Sequence, residues 1–146
     1  MKTKKGDKVV NLEWFAAECR AGQWFDDHDF KCEQAKIGNK GWDLLVNDSI
    51  TVNVKYASGQ KNNHDNLEFF FHYLHQICNT DYFLIVFAHN FDSNKMERYL
   101  IPVGQVADTT VLHFNRYDIP DWLKRFKLTK QECLLLFDIK PTGLSL

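Results

Sequence analysis

Three side chains of complementary chemistry, Asp43, Asn53 and Lys55, fall on two apolar runs joined by the turn-forming Asn47-Asp48-Ser49: Trp42-Asp43-Leu44-Leu45-Val46 and Ile50-Thr51-Val52-Asn53-Val54-Lys55. An antiparallel hairpin closed by that turn pairs Val46 with Ile50, Leu44 with Val52, and Asp43 with Asn53. The register checks itself. Trp42, Leu44, Val46, Ile50, Val52 and Val54 gather on one apolar face, and Asp43, Thr51, Asn53 and Lys55 on the other; a one-residue slip would mix the two sets. Opposed side chains start about 5 Å apart, so the oxygens of Asp43 and Asn53 can share a hard cation at ligand distances of about 2.1 Å. Lys55 reaches the same pocket. The same residues also fit a plainer hairpin in which Asp43 is a turn acceptor and Asn53 and Lys55 face solvent.

The surrounding elements follow from apolar periodicity. Asn11 as N-cap, the stripe Leu12, Phe15, Ala16 and Cys19, and Gly22 as a stop predict an opening helix to about Ala21. Gln23–Asp26 and Phe30–Gln34 read as short strand pieces around the acidic bend Asp26-Asp27-His28-Asp29, and Ile37–Gly41 as a flexible lead into the hairpin. Phe70, Phe71, Leu74 and Ile77 or Cys78 recur at helical spacing, which predicts a helix over Leu67–Cys78. Tyr82–Phe87 is a continuous apolar run of the length of a central strand, with Arg98–Val103 as its antiparallel neighbour and Pro102 marking where pairing ends. Asp121 is placed to cap a short helix carrying Trp122, Leu123 and Phe126, and Thr129 with Glu132 has capping-box spacing. The run Leu134–Phe137 suits either helix or strand.

A chain of 146 residues with 45% hydrophobic and 25% charged residues reads as a single domain over 1–146, with 1–8 as a basic tail. The 14% aromatic content predicts a bulky core. The four cysteines are scattered, with no C-x-x-C pair and no leader segment, so reduced thiols in a cytoplasmic protein are expected. No apolar stretch approaches the length of a bilayer-spanning helix. A net charge of -1 confines any polyanion contact to local clusters. These are Lys2, Lys4, Lys5 and Lys8; Lys36 and Lys40; and Lys124, Arg125, Lys127 and Lys130. Gln60, Lys61 and His64 follow the hairpin directly and would lie near its polar edge.

The order of helix, strands, Asp-bearing hairpin, helix and buried strand resembles the PD-(D/E)XK nuclease superfamily, the restriction-endonuclease-like fold. Asp43 stands at the motif aspartate and Asn53-Val54-Lys55 at the (D/E)-x-K tripeptide. Asp81–Val86 and Tyr99–Val103 look like its later strands, so the likeness covers about Asn11 to Val103. The resemblance implies an α/β domain, a mixed central sheet flanked by the Asn11 and Leu67 helices. It implies a nuclease that uses magnesium or manganese on nucleic acid, with double-stranded DNA the favoured substrate and a homodimer a common way to cut both strands. Under it, Asp43, Asn53 and the Val54 carbonyl hold the cation, Lys55 orients water or stabilises the transition state, and an acid from the first helix completes the site, Glu13 before Glu18. Lys36, Lys40, Gln60 and Lys61 are then the nucleic-acid contacts. Asn53 departs from the usual carboxylate and removes one negative charge from the cation site. That departure also suits a nuclease fold that has lost catalysis and acts as a nucleic-acid-binding or protein-interaction module.

Rival chemistries are thinner. His72, His75 and Cys78 would share a helix face and begin a zinc site, yet no second half is visible. The acidic bend at Asp26–Asp29 lacks the glycine and terminal glutamate of a calcium loop. Neither a phosphate-cradling glycine loop nor a nucleophile elbow is present.

Overall fold

The computed structural model describes residues 3–36, 41–61, 64, 67–72, 74, 79–88, 96–115 and 117–145, with the backbone course alone for 3–14, 88 and 138–145. The chain opens with helix α1 (Thr3–Asp27), which turns Ala17, Ala21 and Phe25 inward at four-residue spacing. Gly22 does not stop it. The helix instead lies close on the strands there, with Leu44 and Cys32 within 3.8 Å of where a Cβ at Gly22 would sit. Gln23–Asp26 is therefore helix rather than strand. The stop comes at Asp29, whose φ of 71° is left-handed. The Asp29 N–H donates to the Asp26 carbonyl at 3.3 Å and the Phe30 N–H to the Phe25 carbonyl at 2.9 Å, while the Phe25 and Phe30 rings meet edge to face. This is a Schellman closure with its apolar contact. The acidic bend is thus a helix terminus, and Asp29 pairs with Lys130 at 2.7 Å.

Five strands follow in the order β1 (Cys32–Gln34), β2 (Leu44–Val46), β3 (Ile50–Ala57), β6 (Tyr82–Ala88) and β7 (Met96–Pro102) across one sheet. The β3–β6 pair is parallel and the others antiparallel, so the central sheet is mixed. The hairpin takes the expected register, Leu44 with Val52 and Val46 with Ile50. Its loop carries Asn47 and Asp48 at positive φ, residues that tolerate that region. β6 is buried from Tyr82 to Phe87, and β7 runs beside it as far as Pro102. Residues 37–40 of the expected lead lie outside the described residues.

Leu67–His72 is a strand, β5, and not the start of a helix. Leu67, Phe69 and Phe71 point inward while Glu68, Phe70 and His72 alternate outward, and pairing with β8 (Val111–Asn115) fixes the choice. With β4 (Gln60–Lys61) these make a second, three-stranded sheet. The layer expected as a Leu67 helix is therefore a small sheet. His72 sits on a strand, which removes the helical spacing of the zinc reading; His75 and Cys78 lie outside the described residues.

Two cores result, one on each face of the central sheet. Ala17, Ala21 and Phe25 of α1 and Cys133 and Phe137 of α3 (Lys130–Ser145) pack on Leu44, Val46, Ile50, Val52, Val54, Leu84 and Val86. Phe69, Phe71 and Phe114 of the second sheet and Leu123 of α2 (Asp121–Lys124) pack on Phe83, Ile85, Phe87, Tyr99 and Ile101. Asp121 lies inside the first turn of α2, and Pro120 holds its N-cap position. Thr129 does cap α3, its Oγ1 accepting the Glu132 N–H at 3.1 Å. The lysine-rich start forms the first turns of α1 from Thr3 onward. Among the described residues no helix is long and apolar enough to cross a membrane.

Candidate active site

The β2–β3 ladder stops at Leu44 opposite Val52, yet β3 runs on to Ala57. From Asn53 onward no strand among the described residues pairs with this edge of β3, and Asp43 fills its first step. The Asp43 N–H donates to the Val52 carbonyl at 2.8 Å, and the Asp43 carbonyl accepts the Ala35 N–H at 2.7 Å. A regular strand residue sends both groups to the same neighbour, so Asp43 is a bend and not the ladder partner of Asn53. The bend has a chemical purpose: Asp43 Oδ2 accepts the Val54 N–H at 2.7 Å, in the plane of the sheet. By the same strand geometry the Val54 carbonyl is directed to that edge.

Asn53 is only 8% exposed. Its Nδ2 donates to the Gly41 carbonyl at 3.0 Å, which fixes the amide orientation because a carbonyl only accepts. Oδ1 is then left buried without a donor among the described residues, an arrangement that ordinarily costs free energy. Gly41 itself has a φ of +101°, and a Cβ there would fall 1.9 Å from Asn79 Oδ1. Only glycine places that carbonyl under Asn53.

Asn53 and Lys55 share the sheet parity of Phe83 and Ile85, the face turned to the second sheet, whereas α1 covers the face of Val52 and Val54. The in-plane carboxylate of Asp43 serves both sides. Burial pushes the Asp43 carboxyl up, against the Val54 N–H and the charge of Lys55. Burial likewise pushes the Lys55 ammonium down, against the charge of Asp43. Each group is held toward its neutral form because neither fully offsets the other's loss of water.

Of the two first-helix acids, Glu18 lies in the field of Asp43. Burial, then the negative charge of Asp43, pushes its carboxyl up to about 7, with a hydrogen bond from Gln34 pulling the other way. Gln34 also touches Cys19 Sγ, at 3.6 Å from Nε2. Glu13 lies on α1, and its side chain is outside the described residues. Among the described residues no three His, Cys, Asp or Glu side chains converge as metal ligands. The anionic part of the site is Asp43 with Glu18 in its field, and a third oxygen comes from the orphaned Asn53 amide.

Lys36 is exposed beyond β1, and Gln60 and Lys61 are exposed on β4 at the edge of the second sheet; Lys40 lies outside the described residues. Burial raises the thiols of Cys32 and Cys133 to about 11 and about 12, which leaves them poor nucleophiles. Three positioning features had no counterpart in the sequence reading. These are the Gly41 carbonyl, Gln34, and the clamp in which Asp81 Oδ2 accepts the Thr51 N–H at 2.9 Å and the Thr51 Oγ1 hydroxyl at 3.1 Å. The clamp locks β3 to the start of β6. An Asx-type acceptor just before a buried strand was the visible signal for it.

No protein-family model matches the chain, and no curated protein matches it in sequence. Among solved structures, the chain superposes on that of a bacterial homing endonuclease with a TM-score of 0.67 at 10% identity, over 93% of this chain and 98% of that one. At that identity the likeness concerns architecture: the mixed α/β fold described above is one that a homing endonuclease also adopts.

Proposed function

We propose that this protein is a metal-dependent nuclease of the PD-(D/E)XK type that hydrolyses phosphodiester bonds in double-stranded DNA. The observations that carry the reading are a buried amide oxygen on Asn53 that has no donor among the described residues and a carboxylate, Asp43, held on the N–H of the next residue, Val54. An uncompensated buried acceptor beside an anion is the donor set of a hard cation, and an amide with carboxylate oxygens suits magnesium or manganese. Asp43, Asn53 Oδ1 and the Val54 carbonyl would hold it, with Glu18 supplying the negative charge that Asn53 lacks. A bound divalent cation would neutralise the scissile phosphate and lower the pKa of water.

The protein's own groups account for the rest. The Val54 N–H fixes the Asp43 carboxylate so that it does not reorganise when charge develops. Lys55, its ammonium already lowered by burial, donates to the attacking water or to the phosphate oxygens as negative charge builds. Asn53 is oriented by Gly41 rather than by its ligand. The nearby carboxyl of Glu18, which burial and Asp43 hold toward its neutral form, would give up its proton to supply negative charge to a bound cation. Cutting both strands calls for a second copy of this site, which a homodimer supplies.

The test is cleavage of plasmid DNA, single-stranded DNA and structured RNA with magnesium and with manganese. The parent is expected to cut duplex DNA, and Lys55→Ala and Asp43→Ala to cut none. A parent that cuts no substrate under either metal, or a Lys55→Ala variant as active as the parent, refutes the catalytic reading and leaves a binding module.

A further inference from the structure

Gln34 ends β1, and the sheet places it beside the candidate site from two directions. It pairs with Leu44, the residue after Asp43, and Leu44 pairs in turn with Val52, so the three form a row across the sheet. Leu44 and Val52 pack in the core that α1 covers, and Gln34 shares their face, so its side chain meets that helix. The contact is at Cys19, whose Sγ lies 3.6 Å from Gln34 Nε2 and 3.8 Å from Oε1. Cys19 directly follows Glu18. The next residue of the chain, Ala35, donates its N–H to the Asp43 carbonyl at 2.7 Å. The end of β1 is thus tied to both acids, through backbone to the bend at Asp43 and through the Gln34 side chain to the Glu18–Cys19 step of α1.

Glu18 is half-buried and has the same charge as Asp43 when both are ionised. In the metal-free protein the two repel, and the long side chain of Glu18 gains freedom and hydration by turning to water. Each carboxylate needs a donor to stay in place. Asp43 has the Val54 N–H. Glu18 has the Gln34 side chain, which hydrogen-bonds its carboxyl; a carboxylate only accepts, so the amide N–H donates. Gly22 brings no side chain to this gap, which Gln34 lines with Cys19, Cys32 and Leu44 as a cavity of about 240 Å³. The amide is therefore fixed by its hydrogen bonds rather than by close packing. We propose that Gln34 is a positioning residue of the cation site, its amide holding the Glu18 carboxylate beside Asp43 before a metal arrives. Oxygens fixed in advance lose less freedom on binding an ion and so hold it more tightly. The proposal rests on the nuclease reading for its ion and on the contact between β1 and α1 for its geometry.

The experiment measures manganese affinity by calorimetry on the full chain at about pH 8, above the Glu18 pKa of about 7, for the parent, Glu18→Gln, Gln34→Met and the double variant. Methionine keeps the length of glutamine and removes its donors. Gln34 is exposed, so Gln34→Met is expected to fold, and Gln34→Ala repeats the measurement if it does not. Gln34→Met should bind manganese roughly threefold to tenfold more weakly than the parent, the worth of one hydrogen bond. In the Glu18→Gln background the same change should weaken binding no further, because the route from Gln34 to the ion passes through Glu18. A merely structural strand end would weaken both backgrounds alike. Gln34 variants that bind as tightly as the parent, or equal losses in the two backgrounds, overturn the proposal and spare the cation site. A Glu18→Gln variant that binds as tightly as the parent overturns the role of Glu18 and the proposal with it. A parent that binds no manganese overturns the nuclease reading as well.

Discussion

Glu18→Gln should make the metal-free protein more stable at pH 8 and leave it unchanged near pH 4.5. The Glu18 carboxyl rises from 4.5 to about 7 on folding, through burial and the charge of Asp43. At about 1.4 kcal/mol per pKa unit the shift corresponds to roughly 3.4 kcal/mol. Glu18 retains partial exposure, so solvent screening roughly halves this, to about 1.7 kcal/mol. The sign follows from proton binding. Because the folded pKa lies above the unfolded one, the folded state holds the extra proton between pH 4.5 and 7, and stability falls as pH rises through that window and stays low above it. Glutamine does not titrate, so the variant lacks this loss. Urea unfolding in EDTA at pH 4.5, 6 and 8 measures it directly, and at pH 8 the difference amounts to roughly 5 °C in Tm for a chain of this size. Manganese should then stabilise the parent more than the variant, because binding draws on the ionised carboxylate. A variant less stable than the parent at pH 8, or two curves falling in parallel from pH 4.5 to 7, would refute the placement of Glu18 beside Asp43.

Three further outcomes follow from the site. Gly41→Ala puts a Cβ 1.9 Å from Asn79 Oδ1 at a φ of +101°, so it should lose about 1–3 kcal/mol in thermal unfolding and also weaken manganese affinity in calorimetry. Asn53→Asp removes the donor to Gly41 and sets a carboxylate against that carbonyl; the metal-free protein should lose roughly 1–3 kcal/mol while manganese binds more tightly, and calorimetry showing weaker binding would contradict this. Asp81→Ala frees the Thr51 N–H and hydroxyl and should cost about 1–3 kcal/mol in urea unfolding, with residual cleavage reduced in step with the folded fraction.

The β2–β3 hairpin was legible because period-two alternation and a three-residue turn admit a single register. β6 and β7 were legible because a continuous apolar run suits a strand covered on both faces, and Pro102 ends it. Leu67–His72 misled because Phe69, Phe70 and Phe71 are adjacent aromatics. Phe70 stacks on His113 of the partner strand at 4.3 Å and so reads as apolar although it faces outward. The decisive pairing with Val111–Asn115 is a contact between distant segments, invisible to local periodicity. Gly22 was read as a helix stop, but glycine ends a helix by adopting positive φ, and the left-handed residue is Asp29. At the candidate site, the closeness of Asp43 to the strand bearing Asn53 and Lys55 was legible from the hairpin spacing. Their actual geometry was not, because the bend at Asp43 depends on Ala35, Val52 and Val54 together. That Glu18 lies in the field of Asp43 depends on where a helix extending to Asp27 lies against the sheet.

The central claim is that Asp43 and Asn53 hold a divalent cation. Manganese diffused into crystals of the parent protein, located by its anomalous scattering, measures that directly. The account predicts a peak within about 2.3 Å of an Asp43 carboxylate oxygen and Asn53 Oδ1, lost in Asp43→Ala. A peak elsewhere, or none at these oxygens at a manganese concentration that supports cleavage, would contradict it.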